Sequence, residues 1–219
     1  MTVNCYGYDF CRLSEADIEM VRNWRNSEQI KSFMHDKRHI TRDGQIKWYS
    51  RINNVNNWYF VVKKDGISLG LIGLKSVDFD RKTTEPGIMM ANPRHPESLV
   101  PASVGMLLLG EFGFHVLGMK RFIAHMFDDH TKALSNNDYL GAKVIDHFGD
   151  KSLHTEGSLE SFSQSSLKIH KALKVVTGKS GHITLQFEKG DDSSISSFIS
   201  NRFNLLSTER KKYFSLAKR

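Results

Sequence analysis

The residues best placed to do chemistry lie between Thr84 and Val144. Glu85 opens a short apolar run, Pro86–Ala91, whose composition predicts a strand. A polar loop, Asn92–Val100, leads to a helix-like segment, Pro101–Leu117. A second strand, Lys120–Phe127, precedes a helical stretch that ends at Leu140-Gly141. Strand, loop, helix N-terminus, strand, helix is a layout that offers free backbone N–H groups to a phosphate and an open strand edge to an amide. A carboxylate at the head of such a strand can take a proton from an attacking group, directly or through water. The plainer reading of Glu85 is a solvated acid at a strand end. Histidines supply little more. His35 and His39 are four apart, and His125 stands near Asp128, Asp129 and His130, yet neither group has a metal-ligand spacing such as His-Glu-x-x-His, so no metal is expected.

The elements that must hold these residues are legible on both sides. Ser14-Glu15-Ala16-Asp17 is a helix start, followed by Ile18, Val21, Trp24 and Arg25 at helical spacing through Asn26. A second helix is expected over Ser27–Met34, and Thr41 with Asp43 opens a third through Ile52. Trp58–Lys63 and Leu69–Leu74 are strands joined by an Asp65-Gly66 turn, and Thr83–Ala91 extends the meander. Beyond the Arg121–Phe127 strand come a helix at Thr131–Tyr139 and a strand at Ala142–His147. The division expected is a core over residues 1–149, a Ser-rich loop or insertion over 150–180, and a region 181–219 that completes the same domain. That last region reads as a strand, His182–Glu188, and a terminal basic helix, Ile195–Lys218. The fold class is α/β, with a mixed, mostly antiparallel central sheet flanked by helices.

At 219 residues, 39% hydrophobic and 25% charged, the chain has the composition of a soluble globular protein. A net charge of +7 favours an anionic partner, but the cations are scattered. A nucleotide-bearing ligand such as coenzyme A or a UDP-sugar fits that charge, and so does loose contact with nucleic acid, between which composition does not choose. The most apolar window, Leu99–Gly118, contains Pro101, Glu111 and His115, so it is expected to be a buried helix and not a membrane span. Two cysteines, Cys5 and Cys11, and the lack of a signal-peptide pattern point to a reducing, cytoplasmic setting.

Trp24-Arg25-Asn26, followed by Ile30, Met34, Ile40-Thr41 and Gln45-Ile46-Lys47-Trp48-Tyr49, resembles the GNAT acetyltransferases. The likeness is to the branch that acts on ribosomal-protein N-termini and nucleotide-linked amino sugars. Gly66 and Gly70–Leu74 look like that family's hairpin, and Glu85-Pro86-Gly87-Ile88-Met89-Met90 like its fourth strand. The resemblance covers roughly Leu13–Ala142.

It implies a sheet that splays to admit acetyl-CoA and direct transfer of the acetyl group to a primary amine. The acceptor is expected to be a small amine, a nucleotide-linked amino sugar first. On this resemblance Ile88, Met89 and Met90 hold the pantetheine and polarise the thioester carbonyl. Pro101, Ala102, Ser103, Val104 and Gly105 cradle the pyrophosphate, although only Gly105 remains of the usual Gly-x-Gly turn. The family's asparagine, eleven residues before Gly141, falls on His130, and its tyrosine, seven residues later, falls on Asn137. Tyr139, two residues on, is then the candidate acid for the departing thiolate, with Glu85 the base, His130 assisting, and Ala133 and Asn137 against the cofactor. Trp24, Arg25, Asn26, Met34 and His39 are the expected acceptor pocket. Plainer roles stand beside these: a helix cap for His130, a buried helix face for Tyr139, and a packed Trp24 braced by Arg25. A protein N-terminus or lysine as acceptor, and a non-catalytic module binding an acyl-CoA or a macromolecule, are the alternatives. A homodimer is compatible with all of them.

Overall fold

A computed structural model describes residues 1–34, 36–127, 141–148, 152–188 and 190–218. The chain starts with a hairpin that the sequence reading left out. Strands β1 (Thr2–Cys5) and β2 (Tyr8–Arg12) pair antiparallel around Tyr6-Gly7. Both turn residues have positive φ, 52° and 79°, as a tight hairpin turn requires. Helix α1 (Ile18–Asn26) follows a short turn in which the Asp17 carboxylate accepts the Ser14 N–H at 3.1 Å. Helix α2 spans only Glu28–Lys31, shorter than expected, because Phe33 and Met34 leave it to line the cleft described below. Helix α3 (Arg42–Ile52) is capped by Thr41, whose Oγ1 accepts the Gly44 N–H at 3.1 Å.

Strands β3 (Trp58–Lys64), β4 (Ile67–Asp78) and β5 (Thr83–Met90) form the expected meander. Further along come β6 (Arg121–Phe127), β7 (Lys143–Phe148), β8 (Ser152–Ser158), β9 (Ile183–Phe187) and β10 (Phe214–Lys218). Among the described residues the ten strands join one sheet in the order β10-β9-β1-β2-β3-β4-β5-β6-β8-β7. Strand alternation sorts its side chains onto two faces. Phe60, Val62, Ile72 and Leu74 point into the main core, whereas Val61, Leu71, Tyr59 and Met89 meet Val21, Trp24, Trp48 and Ile52 of α1 and α3 on the other face.

The main core is built on helix α4 (Leu99–Glu111), which continues as a π-helical turn over Phe112–Val116. Most of this helix is buried, so a segment long and apolar enough to cross a bilayer serves here as the central core element. Its one buried carboxylate, Glu111, is partnered: His170 Nε2 lies 3.2 Å from Oε1 and His115 Nε2 3.5 Å from Oε2. Tyr6 Oη in turn lies 2.7 Å from His170 Nδ1, tying the first hairpin to the core.

Two expectations for the C-terminal third are corrected. Most of the segment 150–180 expected as a loop or insertion is regular structure and not a loop: β8 sits between β6 and β7 in the sheet, and α5 (Leu159–Thr177) is a regular helix. Its apolar stripe, Phe162, Ile169 and Leu173 with buried Ser166 between, has helical spacing, and Phe162 lies over Gly110 of α4. The serines that suggested a loop are absorbed by the helix itself. Ser158 caps its start, and the Ser163 hydroxyl donates to Leu159 O at 2.7 Å. The terminal helix is also shorter than expected. Helix α6 ends at Asn204 (Ser193–Asn204), and the chain returns as β10, parallel to β9. A parallel neighbour needs a long crossover, which α6 provides.

Candidate active site

The site is an opening in the sheet. Strands β5 and β6 run parallel and pair only at Thr83–Arg121 and Thr84–Phe122, after which β6 continues with β8 on its other side. From Glu85 onward β5 therefore has a free edge. Its register against β4 fixes which groups face that edge. Ala91 N–H donates to Leu69 O at 2.8 Å, so the paired residues 85, 87 and 89 direct their backbone groups to β4. Residues 86, 88 and 90 direct theirs into the gap. Pro86, which has no N–H, stands where no partner strand needs one. Ile88 and Met90 then offer N–H groups that have no strand partner among the described residues, whereas the Met89 N–H, expected to do so, is committed to Leu71. The Met89 side chain still lines the cleft.

The gap opens into a cleft of about 760 Å³. From α1 and the segment after it come Arg25, Met34 and His39, three of the five residues expected against the acceptor. Trp24 does not reach the cleft, because its ring is packed with Val21 and Trp48 in the smaller core. Asn26 does not either. Its amide donates to Ile40 O at 2.9 Å and accepts the Ile40 N–H at 2.8 Å, so it pins the segment that carries His39. Helix α3 presents Thr41, Gln45, Trp48 and Arg51, spaced so that one helix face looks into the cleft.

Glu85 lines the cleft at the head of β5, and its Oε1 lies 2.7 Å from Lys75 Nζ on the neighbouring strand. Tyr59 reaches the same region from β3. It pairs with Gly73, which pairs with Gly87, so two glycines lie in one row beside it. Burial, and after it the charge of Glu85, push the Tyr59 phenol up to about 12, with Arg25 pulling the other way. The hydroxyl therefore keeps its proton at neutral pH. At the mouth, Arg38 hydrogen-bonds Asp36 at 2.7 Å and holds its carboxyl far below the usual carboxylate range. From β6 comes His125, stacked on His154 with ring centroids 4.6 Å apart.

The expected pyrophosphate cradle is not presented to the cleft. A helical turn at Pro96–Ser98 precedes α4, so Pro101 is the third residue of that helix and not its first. Val104 and Gly105 are buried. A Cβ on Gly105 would meet Ile72 Cγ2 at 3.1 Å, which makes this a packing glycine against the sheet. The Ser103 hydroxyl is turned back to Leu99 O at 2.9 Å. The physical reason is the strongly apolar run from Val104 to Leu109, which draws this turn into the core.

His130, Ala133, Asn137 and Tyr139 lie outside the described residues. Among the described residues no group of three His, Cys, Asp or Glu side chains is placed to hold a metal. Tyr59, Gln45, Arg38, Arg51 and Lys75 are cleft residues that sequence reasoning did not select. Only the in-register glycines, Gly73 and Gly87, signalled that something large crosses the sheet at Tyr59.

Comparison with known proteins agrees with this geometry. Acetyltransferase PseH of Campylobacter jejuni subsp. jejuni, in two strains, is 28% identical over 130 residues, covering 58% of this chain and 76% of that protein. The spermidine N-acetyltransferase of Vibrio cholerae, solved in complex with CoA and spermine, superposes with a TM-score of 0.65 at 15% identity, covering 72% of this chain and 98% of that one. A domain from Methanocaldococcus jannaschii superposes with a TM-score of 0.58 at 15% identity, covering 69% and 98%. The family model described as an acetyltransferase (GNAT) domain matches residues 10–135, more than half of the sequence, and the chain belongs to that family.

Proposed function

We propose that this protein transfers the acetyl group of acetyl-CoA to the primary amine of a small anionic acceptor, a nucleotide-linked amino sugar. The observation that carries the acceptor class is the charge of the cleft. Arg25, Arg38, Arg51 and Lys75 line it, and the two carboxylates among them, Asp36 and Glu85, are already engaged by Arg38 and Lys75. Such a lining attracts phosphate and repels a polycation. The structural neighbours named as spermidine acetyltransferases share the fold at low identity, and an excess of cleft cations argues against carrying their acceptor over to this chain.

Acetyl-CoA supplies an acyl carbon already activated as a thioester. Ile88 and Met90 point their N–H groups into the strand gap, where they can pair with an amide-bearing arm and stabilise negative charge on a carbonyl oxygen. Glu85, on the cleft wall, accepts the proton lost by the amine as nitrogen bonds to the acyl carbon, and the carbon–sulfur bond breaks to release coenzyme A as its thiolate, which takes up a proton from solvent. Holding both partners on rigid strands removes the entropy cost of their meeting. The exposed turn before α4, with Arg94 beside it, takes the phosphate end in place of Ala102–Gly105.

Titration calorimetry with acetyl-CoA and free coenzyme A, followed by thiol-release assays with an amine panel, tests this reading. Micromolar affinity and turnover of a sugar nucleotide amine are expected. Undetectable binding of both ligands would sink the enzyme reading, and transfer to protein in place of the small-molecule fraction would sink the acceptor.

A further inference from the structure

On the α1–α3 side of the cleft, two buried hydrogen-bond donors stand without a partner among the described residues. Gln45 is 4% exposed and lines the cleft, and its amide nitrogen is buried with nothing to donate to. Arg25 lines the same wall, and its Nε is likewise buried and unpaired. Tyr59 lines the cleft beside them, its ring lying over Gly73 with Trp48 edge-on at 5.3 Å. Buried polar groups left unpaired are costly, and a protein that keeps several in one cavity keeps them for something that binds there.

We propose that Arg25, Gln45 and Tyr59 form the subsite that selects the acceptor, donating hydrogen bonds to its hydroxyl, carbonyl or phosphate oxygens beside Glu85. This rests on the acetyltransferase reading and deepens it by naming the chemistry recognised. Arg25 Nε and Gln45 Nε2 meet the ligand as donors, and the Tyr59 hydroxyl, which keeps its proton, can donate beside them. A polyamine, whose nitrogens are protonated and have no lone pair to offer, leaves the Arg25 and Gln45 N–H groups unpaired and is disfavoured on that ground. A sugar nucleotide offers an accepting oxygen at almost every position. The Gly73–Gly87 row matters because it leaves room for the Tyr59 ring to cross the sheet toward Glu85, which a side chain at residue 73 would block.

The test uses the full chain, with UDP-glucosamine and spermidine as probes and the variants Tyr59→Phe and Gln45→Leu. Calorimetry gives the affinity for each probe, and thiol release from acetyl-CoA gives kcat and KM. Wild type is expected to bind UDP-glucosamine and not spermidine. Each variant should weaken UDP-glucosamine about tenfold, the value of one lost hydrogen bond. The loss should appear in KM, with acetyl-CoA affinity and thermal midpoint unchanged. If both variants bind UDP-glucosamine as wild type does, or if spermidine competes with it on equal terms, the subsite is wrong. If UDP-glucosamine binds, is weakened by both variants, but is never acetylated, the transfer reading falls while the subsite stands. Should Gln45→Leu not fold, the single variants Tyr59→Phe, which removes the hydroxyl, and Gly73→Ala, which displaces the ring that carries it, decide the question: wild-type UDP-glucosamine affinity in both would overturn the subsite.

Discussion

The ring of Tyr59 lies across Gly73: a Cβ built on that glycine would come within 2.6 Å of Tyr59 Cδ1 and 3.0 Å of Cε1. One residue thus sets the direction of the other, and through it the position of a hydroxyl in the cleft. Gly73→Ala is expected to reproduce the kinetic defect of Tyr59→Phe. The double variant should be no worse than either single one, because both remove the same contact. Steady-state kinetics on the four proteins checks this, and additive losses would show that Gly73 acts some other way.

Glu85 stands in β5 where its free edge begins, and its carboxylate lies 2.7 Å from Lys75 Nζ. Glu85→Gln keeps the shape of the side chain and removes its capacity to take a proton. Turnover should fall about 10²- to 10⁴-fold, the usual worth of general base catalysis. Acetyl-CoA affinity should not move. An unchanged kcat on the true acceptor would remove Glu85 from the mechanism.

Phe162 of α5 is 1% exposed and fills the space over Gly110, next to Phe114 at a centroid distance of 5.3 Å. Phe162→Ala is expected to destabilise the protein by about 3–5 kcal/mol, as truncation of a fully buried aromatic does. A denaturant midpoint close to that of wild type would mean that the serine-rich segment contributes little to the fold.

His115 is buried beside Glu111, and burial outweighs the carboxylate, so its imidazole titrates below the ordinary histidine value; Arg210 adds to the lowering. Between the two values the unfolded chain binds more protons than the folded one, so stability rises with pH. The contribution is complete above about pH 6.5, the unfolded value, and is lost as pH falls through it toward the folded value. Thermal midpoints should therefore drop from pH 7 to pH 5, and His115→Asn should flatten that slope. Parallel curves for the two proteins would exclude His115 as the source.

The Cys5 thiol is pushed up to about 12, first by burial and then by the charge of Glu111, and it lies 3.9 Å from Gly181 O. It is expected to resist alkylation at neutral pH until the protein unfolds, since only the thiolate reacts. Mass spectrometry after iodoacetamide treatment of native and denatured protein distinguishes the two states.

What the sequence determined by itself was local. Ser14 and Thr41 announced helix starts, Asp65-Gly66 a hairpin, and the β-rich runs at Trp58 and Leu69 the strands around it, because capping, turn geometry and alternation act within a few residues. Glu85, Arg25, Met34 and His39 were picked out on the same local grounds and a family likeness, and all four line the cleft. The tertiary structure decided the rest. Whether Ile88 or Met89 faces the gap depends on register against β4, which shifts with a single residue. Whether Ala102–Gly105 faces a ligand or the core depends on what the sheet packs against. Ser152–Thr177 looked like a loop because serine is frequent in loops, yet neighbours in the sheet and on α4 gave it a strand and a helix. Tyr59 and Gln45 gained meaning only when strands and helices distant in sequence brought them beside Arg25, and no local pattern encodes that meeting.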